Sequence, residues 1–310
     1  MGQALASVVH RRRGISRRTR SEFIAGTVFA SPWIIGFFAF LLYPMVASLY
    51  YSFTKYTLPQ PPSWAGMQNY VGLVHDRFFW QSLGNSMYLT FIGIPPQLVF
   101  ALFCAVLLNW EIRGQAIWRT IYVLPTLMPA VAGAILWRWL LNPQLGLVNA
   151  ALALIGIRGP LWLGSATWSK PSLIIMQIWG VGGMTIIYLA ALQDVPKTLY
   201  EAAELDGASR WRKFWDVTIP MISPVTLFQL ITSILWALQF FSQAFILGEG
   251  SSGAPLGSLR FYGLYLYHLA FESLRMGYAS AMAWILFLIS LVITLITLRI
   301  SSRFTYYEVI

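Results

Sequence analysis

The chain has 310 residues, of which 57% are hydrophobic and only 10% are charged, and its formal net charge is +10. Soluble domains carry about 25% charged residues, so this composition excludes a water-soluble globular protein and indicates a membrane protein. The positive charge does not indicate nucleic-acid binding, because arginines cluster ahead of the first apolar run. The single cysteine, Cys104, excludes an intrachain disulfide.

The apolar segments form six candidate spans. A membrane-crossing helix needs about 20 mainly apolar residues, which predicts spans at 24–51, 83–108, 117–141, 172–192, 221–247 and 276–300. The first run is too long for the apolar region of a cleaved signal peptide, so we expect it to be retained. The predicted fold class is all-α: a polytopic membrane protein with a basic segment at 1–23 and one transmembrane domain at 24–310.

The connecting segments indicate the orientation. Most of the 21 Lys and Arg residues fall on the side that holds the N-terminus, which predicts that both termini are cytoplasmic. The apolar stretch 146–157 is too short for a seventh span and is expected to be a surface or re-entrant helix. Arg138, flanked by two tryptophans, is expected to be an interfacial anchor at the outer end of span three.

Prolines and glycines interrupt spans two to four. They are Pro95, Pro96, Pro125, Pro129, Gly180, Gly182 and Gly183. Such residues are tolerated in membrane helices where neighbours or cavity water satisfy the freed backbone groups. They indicate either kinks that improve packing or helices bent around a transport pathway, and the sequence leaves both open.

The predicted spans contain no acidic residue and no histidine. Ion-coupled transporters and membrane-embedded hydrolases or metalloenzymes need such groups, so we predict no catalytic and no metal-binding residue. No lysine in the chain follows a glycine, so the Gly-Lys pair of a phosphate-binding loop is missing as well. Any uphill transport would take its energy from another subunit.

One polar segment, 193–220, contains the run YEAAELDGASRWRKFWDVTIP. A helix is predicted over 197–205, and Gly207 permits a turn after it. Ser209 can cap a second helix, which Pro220 is expected to end. The segment is therefore predicted to be a cytoplasmic helix-turn-helix joined at both ends to membrane helices.

Two kinds of partner suit the charges of this segment. The basic residues around Arg212 suit an interfacial hairpin that lies on anionic lipid. Anionic headgroups would repel acids such as Glu201, whereas a protein partner with a charged cleft accommodates both signs. The charges favour a protein partner.

The same run resembles the coupling motif EAA…G…P of bacterial ATP-binding-cassette (ABC) import permeases. Three stretches, WRWLLNPQLGLVNA, TLYEAAELDGASRWRKFWDVTIPMISP and MGYASAMAWILFLISLVITL, resemble the maltose-type subunit of the carbohydrate branch. The resemblance extends from about residue 24 to the C-terminus and implies the type I importer permease fold. One departure is that the chain has no room for the extra N-terminal spans and the large outside domain of the maltose archetype.

The resemblance implies a permease subunit in the cell membrane of a bacterium or archaeon. It would pair with a second, homologous permease and move sugar by alternating access. A dimer of cytoplasmic ATPase subunits, which bind ATP and Mg, would drive the movement, and an extracytoplasmic sugar-binding protein would deliver the sugar. No cofactor is implied in this chain itself.

The resemblance also implies that the loop docks in a groove of the ATPase. Glu201 would pair there with a basic residue, and Gly207 would form the tight turn. The implied coupling residues are Glu201, Ala202, Ala203, Asp206, Gly207, Arg210, Phe214 and Pro220.

Uncharged polar residues in spans four and five are candidate sugar contacts, through hydrogen bonds to hydroxyls and stacking on aromatic rings. On one continuous helix, Thr232, Trp236, Gln239 and Gln243 would share a face. Span four adds Gln177, Trp179 and Gly180. The resemblance places Gln177, Trp179, Gly180, Ser233, Gln239 and Phe240 at or beside positions that line the family's ligand cavity. Glutamines and serines also join helices in membranes, so a packing role stays open.

The leading interpretation is a permease subunit of an oligosaccharide importer. Within the family, the alternative is an importer of a polyol or glycerol phosphodiester, but a phosphate favours a cationic side chain, and spans four and five contain none. The alternative from another class is a membrane-embedded enzyme or scaffold, which would form no stable complex with an ATPase.

Overall fold

The computed structural model describes residues 17–110 and 114–302, and most of them are helical. The arginine-rich start of the predicted segment 1–23 and the C-terminal end lie outside these ranges. In the first of two compact units, which ends at Tyr50, helix α1 (Arg17–Gly36) continues through a π-helical stretch (Phe37–Leu42) into α2 (Tyr43–Ser52). Residues Ile24–Ser52 are apolar and long enough to cross a membrane, which confirms the first predicted span.

A two-stranded antiparallel ribbon opens the second unit. It consists of β1 (Thr54–Lys55) and β2 (Ser63–Trp64), and helix α3 (Gln68–His75) follows it. The side-chain amide of Asn69 donates to the backbone carbonyls of Ser52 and Thr54, at 2.8 Å each. This amide therefore joins α3 to the ribbon.

The second predicted span is one continuous helical run, Arg77–Asn109. It consists of α4 (Arg77–Tyr88), a π-helical stretch (Leu89–Gly93) and α5 (Ile94–Asn109). Asp76 caps α4, since its carboxylate accepts from the backbone N–H groups of Phe78 and Phe79 at 2.8 and 3.4 Å. Pro95 and Pro96 closely follow the π-helical stretch inside this run, and the wider turn there accommodates residues that lack a backbone N–H.

Spans three and four each consist of two helices with a bend between them. The first pair is α6 (Gln115–Val123) with a 3₁₀ turn (Leu124–Leu127) and α7 (Ala130–Leu140), bent by 99°. After the short helix α8 (Leu147–Leu154) come α9 (Ser169–Trp179) and α10 (Gly182–Gln193), bent by 48°. The bends coincide with Pro125, Pro129 and Gly180. Gly182 lets α10 approach α6, because a Cβ there would lie 2.1 Å from the Tyr122 carbonyl oxygen.

The predicted cytoplasmic segment is helical, with one correction. It forms α11 (Lys197–Leu205), α12 (Arg210–Lys213), a π-helical stretch (Phe214–Thr218) and α13 (Ile219–Met221). The prediction that Pro220 ends the unit is wrong, because the helix continues to Met221. The preceding π-helical stretch accommodates the proline. The chain then bends by 62° before α14 (Ser223–Leu238).

The prediction of one continuous helix over 221–247 is wrong. Helix α14 ends at Leu238, and α15 (Ser242–Leu247) is a separate helix. The buried Phe240 ring packs against Trp236 and Phe261, with ring centroids 4.9 and 5.2 Å apart. A Cβ on Gly263 would lie 3.1 Å from the Phe240 carbonyl oxygen, so the later helix that contains Gly263 (Tyr262–Tyr267) packs closely against the break.

The chain ends in a long apolar helix. After α15 come a 3₁₀ turn (Gly250–Ser252), α16 (Tyr262–Tyr267), a π-helical stretch (His268–Glu272) and α17 (Met276–Ser301). Counting each bent pair once, the described residues hold up to six membrane-crossing segments. The main core lies among α5, α9, α14 and α16, where Ile94, Leu173, Leu238 and Leu264 are buried.

Candidate coupling surface and substrate cavity

The helix-turn-helix of residues 197–221, called the coupling hairpin below, is set up by local backbone chemistry. Gly207 adopts a left-handed conformation with a φ of 74°, which glycine adopts without strain. The Ser209 hydroxyl accepts a hydrogen bond from the backbone N–H of Arg212 at 3.3 Å and so caps α12. The predicted roles of Gly207 in the turn and Ser209 in the cap are confirmed.

One ion pair and one hydrogen bond hold the two helices of the hairpin together. Lys213 pairs with Glu204 across the turn, and this hydrogen bond and positive charge lower the pKa of the Glu204 carboxyl. Arg212 pairs with Asp216 one turn further on, at 3.1 Å. The Tyr200 and Thr218 hydroxyls share a hydrogen bond of 2.9 Å. The Lys213–Glu204 pair and the Tyr200–Thr218 hydrogen bond join α11 to the helices that lead into α14, so the hairpin is tied to a membrane span.

Four charges of the hairpin remain free. The exposed side chains of Lys197, Glu201, Asp206 and Arg210 form no hydrogen bond or ion pair with any described residue. Beside them lie large apolar side chains that face outward: Leu205 is 90% exposed, Trp211 70% and Trp215 50%. A surface with both signs of charge and exposed tryptophans suits a protein partner.

The other predicted coupling residues lie in the same hairpin. Ala202 is exposed on α11, and Ala203 is half-buried beside it. Phe214 is half-buried and stacks on Trp211, with ring centroids 6.1 Å apart. Pro220 is half-buried within the helix that leads out of the hairpin.

A cavity of about 260 Å³, called the central cavity below, lies where the bent spans meet. Pro125, Pro129 and Gly180 all line it, so the helix breaks of spans three and four shape its wall. The other residues around it are Gln97, Met128, Ala130, Gly133, Trp137, Met176, Gln177, Trp179, Met184, Trp236 and Gln243. None of these described residues is charged.

Three buried polar atoms on residues of the central cavity have no hydrogen-bond partner. They are Gln177 Nε2, Trp137 Nε1 and Gln243 Oε1, two donors and one acceptor. A buried polar group left unpaired costs about 1–3 kcal/mol, so a polar partner that reached these atoms would lower the free energy of the site. Trp179 and Trp236 are partly exposed there and offer ring faces.

The structure divides the predicted substrate residues among several places. Gln177, Trp179, Gly180, Trp236 and Gln243 line the central cavity. Ser233 lines a neighbouring cavity of about 250 Å³, which shares Gln97, Met184 and Trp236 with the central one. The Ser233 hydroxyl is buried there without a partner.

Two predicted substrate residues lie elsewhere. Gln239 lines a separate groove of about 440 Å³ between α14 and α17, together with Leu286 and Ser290. Phe240 is buried in the core. The predicted shared face of Thr232, Trp236, Gln239 and Gln243 does not exist, because the helix breaks after Leu238.

Sequence reasoning missed Gln97 and Trp137. Gln97 is a polar residue in an otherwise apolar span, directly after two prolines, and that isolation was a usable signal. Trp137 was grouped with its neighbour Arg138 as an interfacial residue. Arg138 pairs with Glu249 at 3.2 Å and donates to the Ile246 carbonyl oxygen at 3.4 Å, and its place at a membrane interface stays a prediction. Trp137 packs against Trp179 and lines the central cavity.

Comparison with known proteins identifies the family. Residues 97–306 match the family described as "Binding-protein-dependent transport system inner membrane component". The chain belongs to this family. It is therefore an inner-membrane transport component with an all-α fold, rather than an enzyme, and it works with a binding protein.

Individual relatives agree with this assignment. The chain is 40% identical over 296 residues to the probable ABC transporter permease protein YesP of Bacillus subtilis (strain 168), covering 94% of this chain and 95% of that protein. It is 35% identical over 277 residues to the lactose transport system permease protein LacF of Rhizobium radiobacter, covering 87% and 92%.

A solved structure supports the type I importer permease fold. It is a bacterial ABC transporter involved in the import of the acidic polysaccharide alginate, and one of its chains superposes with a TM-score of 0.81 at 26% identity. The match covers 94% of this chain and 100% of that chain.

Proposed function

We propose that the protein is the permease subunit of an ATP-driven importer of sugars, with oligosaccharides as the preferred class. The observation that carries the proposal is the central cavity, which is uncharged and has three buried polar atoms without partners. Two amide side chains and an indole N–H match the hydroxyl groups of a sugar, and the rings of Trp179 and Trp236 suit its C–H faces. Two relatives support the same class by their names: the lactose transport system permease protein LacF, and the arabinooligosaccharides transport system permease protein AraP of Bacillus subtilis (strain 168), which is 30% identical over 290 residues.

A glycerol phosphodiester fits this cavity less well. A phosphate is bound best by arginine or lysine, and the described residues around the central cavity include neither. The same argument applies to an acidic saccharide, because the described residues around the central cavity offer no positive charge to bind it. The cavity therefore supports a neutral sugar.

The energy for transport comes, in this proposal, from separate subunits. The coupling hairpin docks on one member of a cytoplasmic ATPase dimer, which binds ATP and Mg, and Glu201 pairs there with a basic residue. A second homologous permease completes the pathway, and an extracytoplasmic binding protein delivers the sugar. Both termini are then cytoplasmic, and the apolar spans lie in lipid.

Reconstitution of the complete complex tests the proposal. Vesicles that contain both permeases, the ATPase dimer and the binding protein should accumulate radiolabelled neutral sugars in the presence of ATP. Gln177→Leu should raise the half-saturation concentration roughly tenfold, because a sugar hydroxyl loses its partner. The control, Gln144→Leu, changes an exposed glutamine outside the cavity. An unchanged half-saturation in Gln177→Leu would remove the central cavity from the pathway.

A further inference from the structure

Gln97 connects the backbone of the π-helical stretch before α5 to the central cavity. Its side chain is 5% exposed, and its Nε2 donates two hydrogen bonds. One goes to the Gly93 carbonyl oxygen at 2.9 Å, and the other goes to Gln177 Oε1 at 2.8 Å. Gln97 also lines both the central and the neighbouring cavity.

These two bonds determine which way the Gln177 amide faces. A backbone carbonyl can only accept, so the NH₂ group of Gln97 must lie toward Gly93. The second hydrogen of that NH₂ group then points at Gln177, where it needs an acceptor. The Gln177 oxygen fills this role, and the Gln177 NH₂ group is left facing away from Gln97, where its Nε2 has no partner.

We propose that Gln97 is a positioning residue that holds the Gln177 amide with its N–H donors directed to the substrate. The inference rests on the proposed function of the central cavity. It assigns a polarity to the site: Gln177 and Trp137 donate, while Gln243 accepts. An acceptor oxygen of the sugar, such as a ring, glycosidic or hydroxyl oxygen, lies against the two donors, and a sugar O–H points to Gln243.

Loss of Gln97 leaves the Gln177 amide free to rotate. Gln97→Met keeps the length of the side chain but removes both hydrogen bonds. Gln177 can then present its oxygen or its nitrogen to the cavity. In a fraction of the molecules the Gln177 oxygen would face an acceptor oxygen of the sugar, and no hydrogen bond could form between them. We expect the half-saturation concentration for uptake to rise by roughly three- to tenfold, and Gln177→Leu to raise it by roughly tenfold.

A double-mutant cycle in the reconstituted complex tests the inference. The probes are radiolabelled lactose, maltose and arabinotriose. The sugar that the wild-type complex accumulates fastest is then used for all variants, in a concentration series around the wild-type half-saturation concentration. If Gln97 acts through Gln177, then Gln97→Met combined with Gln177→Leu should match Gln177→Leu alone. Effects that multiply would overturn the positioning role, since Gln97 would then act independently.

The same cycle separates the inference from the function on which it rests. No change in half-saturation for Gln177→Leu would reject the central cavity as the substrate site. A clear effect of Gln177→Leu with none of Gln97→Met would reject only the positioning role. Thermal unfolding of the four purified complexes needs no sugar: coupled losses support the bond between the two amides, and additive losses contradict it.

Discussion

The coupling hairpin and the central cavity satisfy their polar groups in opposite ways. The hairpin is made from one short stretch of chain. It pairs Glu204 with Lys213 and Arg212 with Asp216, while four exposed charges have no partner among the described residues. The cavity collects residues from four predicted spans and leaves buried, uncharged atoms unpaired. A docking surface needs a rigid frame with free charges in water. A transport site needs neutral groups that wait for a ligand and release it again.

Charge reversal on the hairpin should have the largest effect. In Glu201→Lys, a like charge faces the basic residue proposed on the ATPase, at a cost of several kcal/mol. We expect uptake to fall more than about a hundredfold while the permease still folds, because Glu201 is exposed and has no partner among the described residues. Uptake and sugar-stimulated ATP hydrolysis by the reconstituted complex measure it.

The matched control for this variant is Arg158→Glu. It reverses an exposed charge after α8, away from the hairpin in sequence, and should leave uptake unchanged. Wild-type uptake in Glu201→Lys would contradict docking through this residue.

The break after α14 offers the next largest contrast. Phe240 is buried between Trp236 and Phe261. Phe240→Ala should therefore lower the free energy of unfolding by about 3 kcal/mol. Trp236 is half exposed to the cavities. Trp236→Ala should destabilise the protein less and should mainly raise the half-saturation concentration for pyranose sugars. Thermal unfolding and uptake are measured on both variants. Equal losses of unfolding free energy would contradict the assignment of Phe240 to the core and Trp236 to the cavity.

The coupling hairpin and the break after α14 also differ in how far the sequence alone predicts them. The turn at Gly207 and the cap at Ser209 depend on residues within a few positions, so both were predicted correctly. The break at residues 239–241 lies in the run LQFFSQ, which has no proline or glycine. It results from the burial of Phe240 against Phe261 and from the close approach of Gly263, contacts that only the folded chain creates.

The residues of the cavity could be predicted only in part, because local patterns are visible in the sequence and contacts between distant residues are not. Gln177, Trp179 and Gly180 precede the bend of span four and could be found from local spacing. Gln243 was found only through a shared helix face that does not exist. Gln97 approaches Gln177 across a separation of 80 residues, so no local pattern connects the two. Partners of this kind are set by packing between spans.

A pair of glutamine variants tests where the wall of the cavity ends. Gln243 Oε1 is buried and unpaired in the central cavity, so Gln243→Leu should raise the half-saturation concentration roughly tenfold. Gln239 lies in the separate groove against α17, so Gln239→Leu should leave it unchanged. Concentration series for uptake by both variants decide between the two positions, and the reverse pattern would move the substrate to the groove.

The smallest effect concerns the ion pair inside the hairpin and its dependence on pH. Lys213 lowers the folded-state pKa of Glu204 below the ordinary value of 4.5. A carboxyl with a lowered folded pKa contributes stability above its unfolded pKa, and that stability is lost as the pH falls through the folded value. The pair is exposed to water on the Glu204 side, so the contribution is small. Thermal unfolding of the wild type and of Lys213→Met should therefore differ at neutral pH and converge well below pH 4.5. A difference that persists in acid would show that Lys213 stabilises the hairpin through packing of its half-buried stem rather than through its charge.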